Sequence, residues 1–123
     1  MANAFKLKTF SATHGASGSG TAANTDMTIY TGKSGTETTI IGMSIANIAT
    51  SQITVDVKIE SDTSDTEVNK NVFLIKDAPI PVGGTLVPIG GDQKVVLLNT
   101  DVLKVQSDTA NSADTTLSIL EIT

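Results

Sequence analysis

The stretch QITVDVKIE, residues 52–60, alternates apolar and polar side chains with a period of two. Ile53, Val55, Val57 and Ile59 occupy every second position, and polar or charged residues stand between them. Successive side chains of a β-strand point to opposite faces, so the pattern predicts a half-buried antiparallel strand. No stretch of the chain sustains the 3.6-residue period of an amphipathic helix. The sequence therefore predicts an all-β fold.

Other runs rich in Val, Ile and Thr have the character of strands, because β-branched side chains suit a pleated surface. Clusters of Gly, Asn, Asp and Ser separate them, as in SDTSDTEVNK, LNTD and SDTANSADT. About eight short strands with such turns predict an antiparallel β-sandwich or a jelly-roll-like fold, with a closed barrel as a further alternative. Besides 52–60, the predicted strands are 4–10, 27–31, 38–47, 71–75, 94–98, 102–106 and 117–122.

Local patterns also predict the surroundings of individual strands. The run LSILEI, residues 117–122, is apolar at both parities, which predicts a strand covered on both faces. Lys6, Lys8 and Lys58 alternate with apolar residues, which predicts that they lie on solvated strand faces.

A chain of 123 residues is most simply one domain, and we expect a single β-sandwich domain over residues 1–123. Residues 1–25 combine the first strand with the stretch THGASGSGTAANTD. Its Gly and Ser content predicts a flexible loop.

All three prolines lie within one stretch, APIPVGGTLVPIGGDQKVVL. Proline cannot donate a hydrogen bond to a sheet, so Pro79, Pro81 and Pro88 are expected at sheet edges or between strands. Gly83-Gly84 and Gly90-Gly91 supply residues that tolerate positive φ in tight turns. The stretch therefore predicts a corner at which the chain crosses from one sheet to another.

Charge and composition argue against several functions. All eight positive charges are lysines and the net charge is −5, which disfavours nucleic-acid binding. The absence of cysteine excludes disulfides and cysteine-ligated zinc. No apolar run approaches the ~18 residues of a membrane span, and no signal-like segment stands out. We therefore expect neither a nucleic acid nor a membrane as the partner.

Two motifs resemble catalytic or nucleotide-binding features. Gly32, Lys33 and Ser34 match the end of a phosphate-binding loop, but Met27 stands where that motif requires a glycine. We interpret the segment as a turn. His14, the single histidine, lies in the Gly/Ser-rich loop, where we expect it to be exposed rather than catalytic.

The acidic residues form no recognisable site. Asp56 and Glu60 share the polar face of one predicted strand at ~13 Å, which exceeds the ~5–9.5 Å between paired carboxylates of glycosidases. Two acidic turns lack the glycine and spacing of a calcium loop and are interpreted as solvated turns. We thus predict no catalytic, cofactor or metal site, and no enzyme. The first of the two acidic turns contains Asp62, Asp65 and Glu67, and the second contains Asp108, Asn111 and Asp114.

Three longer motifs carry a resemblance: TIIGMSIANIATSQITVDVKI, FLIKDAPIPVGGTLVPIGGDQKVVLLNTDVLKVQSD and ADTTLSILEIT. From about Thr38 onward the chain resembles a family of small structural proteins from tailed bacteriophages, as in phages of marine and freshwater bacteria. The resemblance covers most of the chain, and its motifs belong to the scaffold rather than to a site. The loops SDTSDTEVNK and THGASGSG lie outside it.

The resemblance implies a non-enzymatic virion protein that is assembled in the host cytoplasm. The first expectation is a capsid decoration or cement protein whose partners are the major capsid protein or other virion proteins. A homo-oligomer is expected, with a trimer favoured. The alternatives are a neck, tail or fibre-attachment component, or a receptor- or carbohydrate-binding module. For the last, an exposed aromatic ring is expected, whereas Tyr30 lies in a strand-like run where burial is expected.

The corner is the predicted contact surface. In a virion protein its apolar side chains would pack against a symmetry mate or against a capsid or tail protein. The predicted interface residues are Pro79, Ile80, Pro81, Val82, Leu86 and Pro88.

Overall fold

The computed structural model describes residues 3–16, 18–61, 70–90 and 93–123. These residues form nine strands and no helix, and so contain no helix long and apolar enough to cross a membrane. The strands are β1 (Asn3–Phe10), β2 (Met27–Thr31), β3 (Glu37–Asn47), β4 (Ile53–Ser61), β5 (Lys70–Ile80), β6 (Thr85–Ile89), β7 (Val95–Leu97), β8 (Val102–Ser107) and β9 (Ala113–Ile122).

The strands form two antiparallel sheets. Sheet A has the order β1-β9-β3-β6, and β7 also pairs with β3; sheet B has the order β2-β8-β4-β5. The pairing is nested, because β1 pairs with β9, β2 with β8, β3 with β6 and β4 with β5. This is the topology of a jelly roll. The predicted all-β sandwich is therefore confirmed in its jelly-roll form.

The core lies between the sheets and consists almost entirely of aliphatic side chains. Alternation along β4 places Ile53, Val55 and Val57 in the core, as the sequence predicts. Burying each such side chain contributes about 1.5–3 kcal/mol. The largest side chains that are fully buried are Ile40, Ile45, Ile53, Ile80, Ile89, Leu97, Leu103, Leu117, Ile119, Val55, Val57 and Val105.

The proline-rich stretch forms the predicted corner, but it contains more strand than expected. β5 continues to Ile80, and β6 is a ninth strand inside the corner. β5 is at an edge of sheet B and β6 at an edge of sheet A, so Pro79 and Pro88 occupy strands with one unpaired side. Pro81 lies between the two strands. The crossing from one sheet to the other is confirmed.

The register of β1 contradicts the expectation that Lys6 and Lys8 occupy a solvated face. Lys6 pairs with Ile119, which is buried, so both lysines lie on the side of the sandwich interior. Phe5 and Leu7 instead turn outward and are 78% and 66% exposed. Because β1 is the edge strand of sheet A, inward-pointing lysines protect it against uncontrolled pairing.

β9 is covered on one face only within the described residues, which differs from the prediction of cover on both faces. Leu117 and Ile119 are buried in the core. Leu120 and Ile122 have the opposite parity and remain partly exposed on the outer side of sheet A. The described residues therefore supply one of the two covering layers that the pattern predicts.

The segment between β1 and β2 makes specific hydrogen bonds near the start of β9, and the flexibility expected of its Gly- and Ser-rich part stays a prediction. The Ala12 N–H donates to Asp114 Oδ1 at 2.8 Å, and the Thr21 N–H donates to Asn111 Oδ1 at 2.8 Å. Gly20 has φ +88° and lies so close to Asn111 that a Cβ atom would collide with its side-chain oxygen. Glycine there permits close packing against the turn that precedes β9.

Candidate contact surfaces

The corner between β5 and β6 presents apolar side chains to solvent. Val82 is 59% exposed, and Pro79 and Pro81 are also exposed. Gly83 follows with φ +75°, which explains a glycine at this turn. The corner therefore displays three of the six predicted interface residues openly.

The remaining three predicted interface residues are less accessible. Pro88 and Leu86 are half-buried, and Leu86 packs against the core. Ile80 is 1% exposed and pairs with buried Ile53. Alternation along β5 turns Ile80 into the sandwich, so its side chain is not available to a partner and we remove it from the candidate surface.

Asn47 fixes the corner from inside. Its Nδ2 donates to the carbonyl oxygen of Ile80 at 2.9 Å and to that of Ser51 at 3.0 Å. Its Oδ1 accepts from the Ala49 N–H at 2.8 Å, and its N–H donates to the Gly84 carbonyl oxygen at 3.0 Å. The corner is thus tied to the end of β3 at two of its backbone carbonyls.

We expect Asn47→Ala to lower the free energy of unfolding by about 1.5 kcal/mol, because the Ile80 carbonyl loses a buried donor. Asn71→Ala, at an exposed position of β5, is the matched control and should change stability by less than about 0.5 kcal/mol. Urea unfolding monitored by circular dichroism measures both. Equal stability of the two variants would show that the Asn47 side chain does not fix the corner.

The outer face of sheet A is nearly free of charge: Ser and Thr side chains, such as Ser118 and Ser44, occupy its middle, and large apolar side chains lie on its outer strands and at one end of β9. Among the strand residues of that sheet, only Glu37 and Asp114 carry charge on this face, and they lie near its opposite ends. No local sequence pattern indicates this surface, although the run LSILEI contributes to it. We call it the sheet A outer face, and its apolar side chains are Phe5, Leu7, Val87, Val96, Leu120 and Ile122.

The outer face of sheet B carries paired charges instead. Lys104 contacts Glu60 at 2.8 Å, and Lys58 contacts Asp26 at 2.8 Å. Asp56 and Glu60 both lie on this face, as their spacing predicts. The chain therefore has two unlike outer faces, one nearly free of charge and one with paired charges.

Lys58 is much less exposed to solvent than its alternation with apolar residues along β4 predicts. Its residue exposure is 9%, because Asp26 pairs with it and Phe73 lies 5.5 Å from its ammonium nitrogen. Lys76 approaches the same ring at 4.8 Å. The aromatic ring and the carboxylate replace the water that the sequence pattern predicted around Lys58.

A buried carboxylate links the two sheets at one end of the sandwich. Glu121 of β9 accepts from Lys6 at 2.8 Å, from Lys33 at 3.0 Å and from the Tyr30 hydroxyl at 2.7 Å. The Thr38 hydroxyl is 2.9 Å from that of Tyr30. The hydrogen bond from Lys6 and then that from Tyr30 hold the pKa of Glu121 at about 2.

Tyr30 is buried, as predicted, and its exposure of 6% leaves no free ring face for stacking on a sugar. Burial raises the pKa of its hydroxyl above the usual value of 10.0, and the bond to Glu121 acts in the same direction. Tyr30 comes from sheet B and Glu121 from sheet A. The cluster therefore stabilises the packing of the sheets.

The segment that resembles a phosphate-binding loop has a structural role. The Gly32 N–H donates to the Asp101 carbonyl oxygen at 2.8 Å, and the Thr100 N–H donates to the Gly32 carbonyl oxygen at 3.3 Å. Lys33 is paired with Glu121. Gly32 thus permits two backbone segments to approach closely.

The other sequence candidates act as local hydrogen-bonding groups. Nδ1 of exposed His14 is 2.8 Å from the neighbouring Gly15 carbonyl oxygen. Asp108 Oδ1 accepts from the Thr54 N–H at 3.0 Å, and Asp56 Oδ1 accepts from the Asp77 N–H at 2.7 Å. Within the ranges that the structure covers, no group of three or more His, Asp or Glu side chains is placed to hold a metal ion. Asp62, Asp65 and Glu67 lie outside the described residues.

A shallow cleft of about 300 Å³ lies between the first long loop and β2. Phe10 and Met27 contribute apolar surface, and Thr21 and Asp26 contribute polar groups. Asp26 is already paired with Lys58. The two outer faces and the corner are therefore the more distinctive surfaces.

No protein-family model matches this chain, and no curated protein matches it.

Proposed function

We propose that the chain is a non-enzymatic structural protein of a tailed-bacteriophage particle, and that it decorates the capsid by bridging neighbouring capsid subunits. The observation that carries the proposal is the exposed apolar corner between β5 and β6, where Val82 is 59% exposed beside exposed Pro79 and Pro81. Exposed apolar surface that is gathered in one place on a small domain is typical of a protein that works by contact.

The motifs of the sequence support the virion context, because they resemble those of small phage structural proteins. The jelly roll is also an architecture of viral capsid domains, although lectin domains and cupins share it. One fold serves many functions, so the surfaces and not the topology carry the proposal.

The corner is the surface that we assign to the capsid lattice. Val82 is 59% exposed at the corner, and the neighbouring prolines restrict the backbone there. The hydrogen bonds of Asn47 hold the corner in one position. A surface that is rigid before binding loses little conformational entropy on contact.

The copy number of the chain in purified particles tests the proposal. Quantitative mass spectrometry against the major capsid protein should give a ratio between about one to three and about one to one, as expected for symmetric positions of a shell. About a dozen copies or fewer would indicate a neck, tail or fibre-attachment component instead. Absence of the chain from particles would contradict a virion role altogether.

Occupancy of variant particles tests the corner in the same assay. Val82→Lys places a charge in the proposed contact and should lower occupancy by about tenfold or more. Val72→Lys is the matched control, since Val72 is 58% exposed in β5 and lies away from the corner turn. Equal occupancy of the two variants would show that the corner does not contact the capsid.

A further inference from the structure

We propose that two copies of this chain associate through the sheet A outer face, around a two-fold axis. The dimer would be a stack of four layers in which the two A sheets face each other and the two B sheets lie outside. This interaction goes beyond the proposed function and does not depend on it, because it requires only the chain itself.

β9 carries apolar side chains on both of its faces. Leu117 and Ile119 face the core, whereas Leu120 and Ile122 lie on the opposite side of the same strand. A strand with apolar residues at both parities is typical of a sheet covered on both faces. The described part of the chain covers one face and leaves the other open to a second molecule.

β1 extends the same surface. Phe5 and Leu7 are 78% and 66% exposed on the outer side, while the lysines of β1 face inward. The parity of β1 therefore adds apolar area to the face on which Leu120 and Ile122 lie.

The charge distribution identifies a second copy as the occupant. The chain carries a net charge of −5, so two copies repel each other unless their charges are kept away from the contact. On the sheet A outer face the strands place charge only at Glu37 and Asp114, near opposite ends. Two copies that meet through this face would bring uncharged side chains together, Ser and Thr in the middle and apolar groups around them, with charge only near the ends.

The same distribution disfavours a strongly charged partner. Such a partner would be selected by complementary charge, and the paired charges lie on the other face, at Lys58 and Lys104 for example. An uncharged patch is complementary to itself, which is the requirement of a two-fold interface.

The area of the face is sufficient for a weak dimer. The sheet is four strands wide, since β6 and β7 lie along the same side of β3. β1, β9 and β3 have 8, 10 and 11 residues, and β6 and β7 have 5 and 3. At ~4.8 Å between strands and ~3.4 Å per residue, the footprint is about 600 Å² per copy. Two copies then bury about 1,200 Å², the lower limit for specific interfaces, so we expect a dissociation constant in the micromolar range.

The geometry favours two copies over the expected trimer. Two sheets that stack face to face use the same patch on each molecule, and such a contact closes after one pair has formed. A cyclic trimer joins two different patches of each molecule instead.

Sedimentation equilibrium of the purified protein over a range of concentrations tests the dimer. As its concentration rises, the apparent mass of the wild-type protein should increase from 12.7 kDa to twice that value. Val96→Lys places a charge within the face and should weaken association by about tenfold or more. Val72→Lys is the matched control, because Val96 and Val72 are valines that are 55% and 58% exposed in strands of different sheets.

The outcomes are distinct. A wild type that remains at 12.7 kDa at millimolar concentration, or that sediments at three times this mass, would overturn the proposal. Equal weakening by both substitutions would also overturn it, because the contact would then lie elsewhere. Since the assay contains no particles, failure of the dimer and failure of the decoration function are separable.

Distances between spin labels test the arrangement directly. The chain contains no cysteine, so Ser118→Cys labels the middle of the sheet A outer face alone, and Thr28→Cys labels the outer face of sheet B. With ~10 Å between stacked sheets, the backbones at Ser118 should be about 10 Å apart and those at Thr28 about 30 Å or more. The reverse order of distances would exclude face-to-face packing through sheet A.

Discussion

Gly32→Ala is expected to destabilise the fold by about 3 kcal/mol, because the close approach at Gly32 leaves no room for a side chain. A Cβ atom at this position would lie 1.8 Å from the carbonyl oxygen of Leu98. That oxygen belongs to the backbone and cannot rotate away. The hydrogen bonds that join Gly32 to Thr100 and Asp101 would have to lengthen as the two segments separate.

Gly42→Ala is the matched control for this measurement. The nearest atom to a Cβ at Gly42 is the Ile89 carbonyl oxygen at 3.8 Å, an ordinary van der Waals contact. Alanine there also restricts the unfolded chain, so stability should change by less than about 1 kcal/mol. Urea unfolding of both variants at one protein concentration gives the comparison. A Gly32→Ala midpoint equal to that of the wild type would contradict the close approach.

Glu121→Gln is expected to lower the free energy of unfolding at pH 7 by about 2–3 kcal/mol. The substitution keeps the size of the side chain and an acceptor for Tyr30, but it removes the charge that Lys6 and Lys33 neutralise. Hydrogen bonds to charged groups contribute about 1.5–3 kcal/mol. Both lysines are about half exposed, so water solvates them again in the variant.

The pH dependence follows from the depressed pKa of Glu121. The pKa is about 2 in the folded chain against 4.5 as the usual value, so the unfolded state binds a proton first as the pH falls. The stabilisation is therefore complete above pH 4.5 and is lost progressively between pH 4.5 and pH 2. About 2 kcal/mol of it should disappear between pH 7 and pH 3.

Unfolding curves of the wild type and Glu121→Gln at pH 7 and pH 3 measure this effect. The difference in stability between the two should shrink to less than about 1 kcal/mol at pH 3, because only the wild type titrates at this position. Glu37→Gln, at an exposed position of β3, is the control for the loss of a carboxylate and should change stability at pH 7 by less than about 0.5 kcal/mol. A constant difference between wild type and Glu121→Gln at both pH values would show that the charge of Glu121 is not the stabilising feature.

Alternation predicted β4 correctly but assigned the wrong face to β1. A two-residue period shows which residues share a face of the strand, but it does not show which face points into the core. β4 lies between β5 and β8, so its apolar residues meet the core. β1 is an edge strand, and its register on β9 places Phe5 and Leu7 outside. That register depends on a pairing between opposite ends of the chain.

β6 illustrates a strand that local sequence does not reveal. Its five residues, TLVPI, contain a proline and lie between two glycine pairs, a pattern typical of turns. The segment becomes a strand because Leu86 and Ile89 pair with β3. An edge position tolerates Pro88, since one side of the strand needs no donor.

The candidate surfaces were predictable to different degrees. The corner follows from chemistry within one short stretch, and prolines and glycines reveal it directly. Ile80 was assigned wrongly because the strand continues to that residue and turns it inward, opposite Ile53. The sheet A outer face draws on strands from both ends of the chain, so only the topology brings Phe5 and Leu120 together. Tyr30 and Glu121 are likewise 91 residues apart in sequence.

The nested strand pairing has a consequence for how fast the chain folds. β1 and β2 are made first, but their partners β9 and β8 are made last, so neither pair can form during most of synthesis. The early strands must wait as an unpaired segment that includes Phe5 and Leu7. Folds dominated by such distant pairings fold in milliseconds to seconds, and their open intermediates are prone to aggregate. Chaperone demand in the cell should therefore be greatest just before β9 emerges.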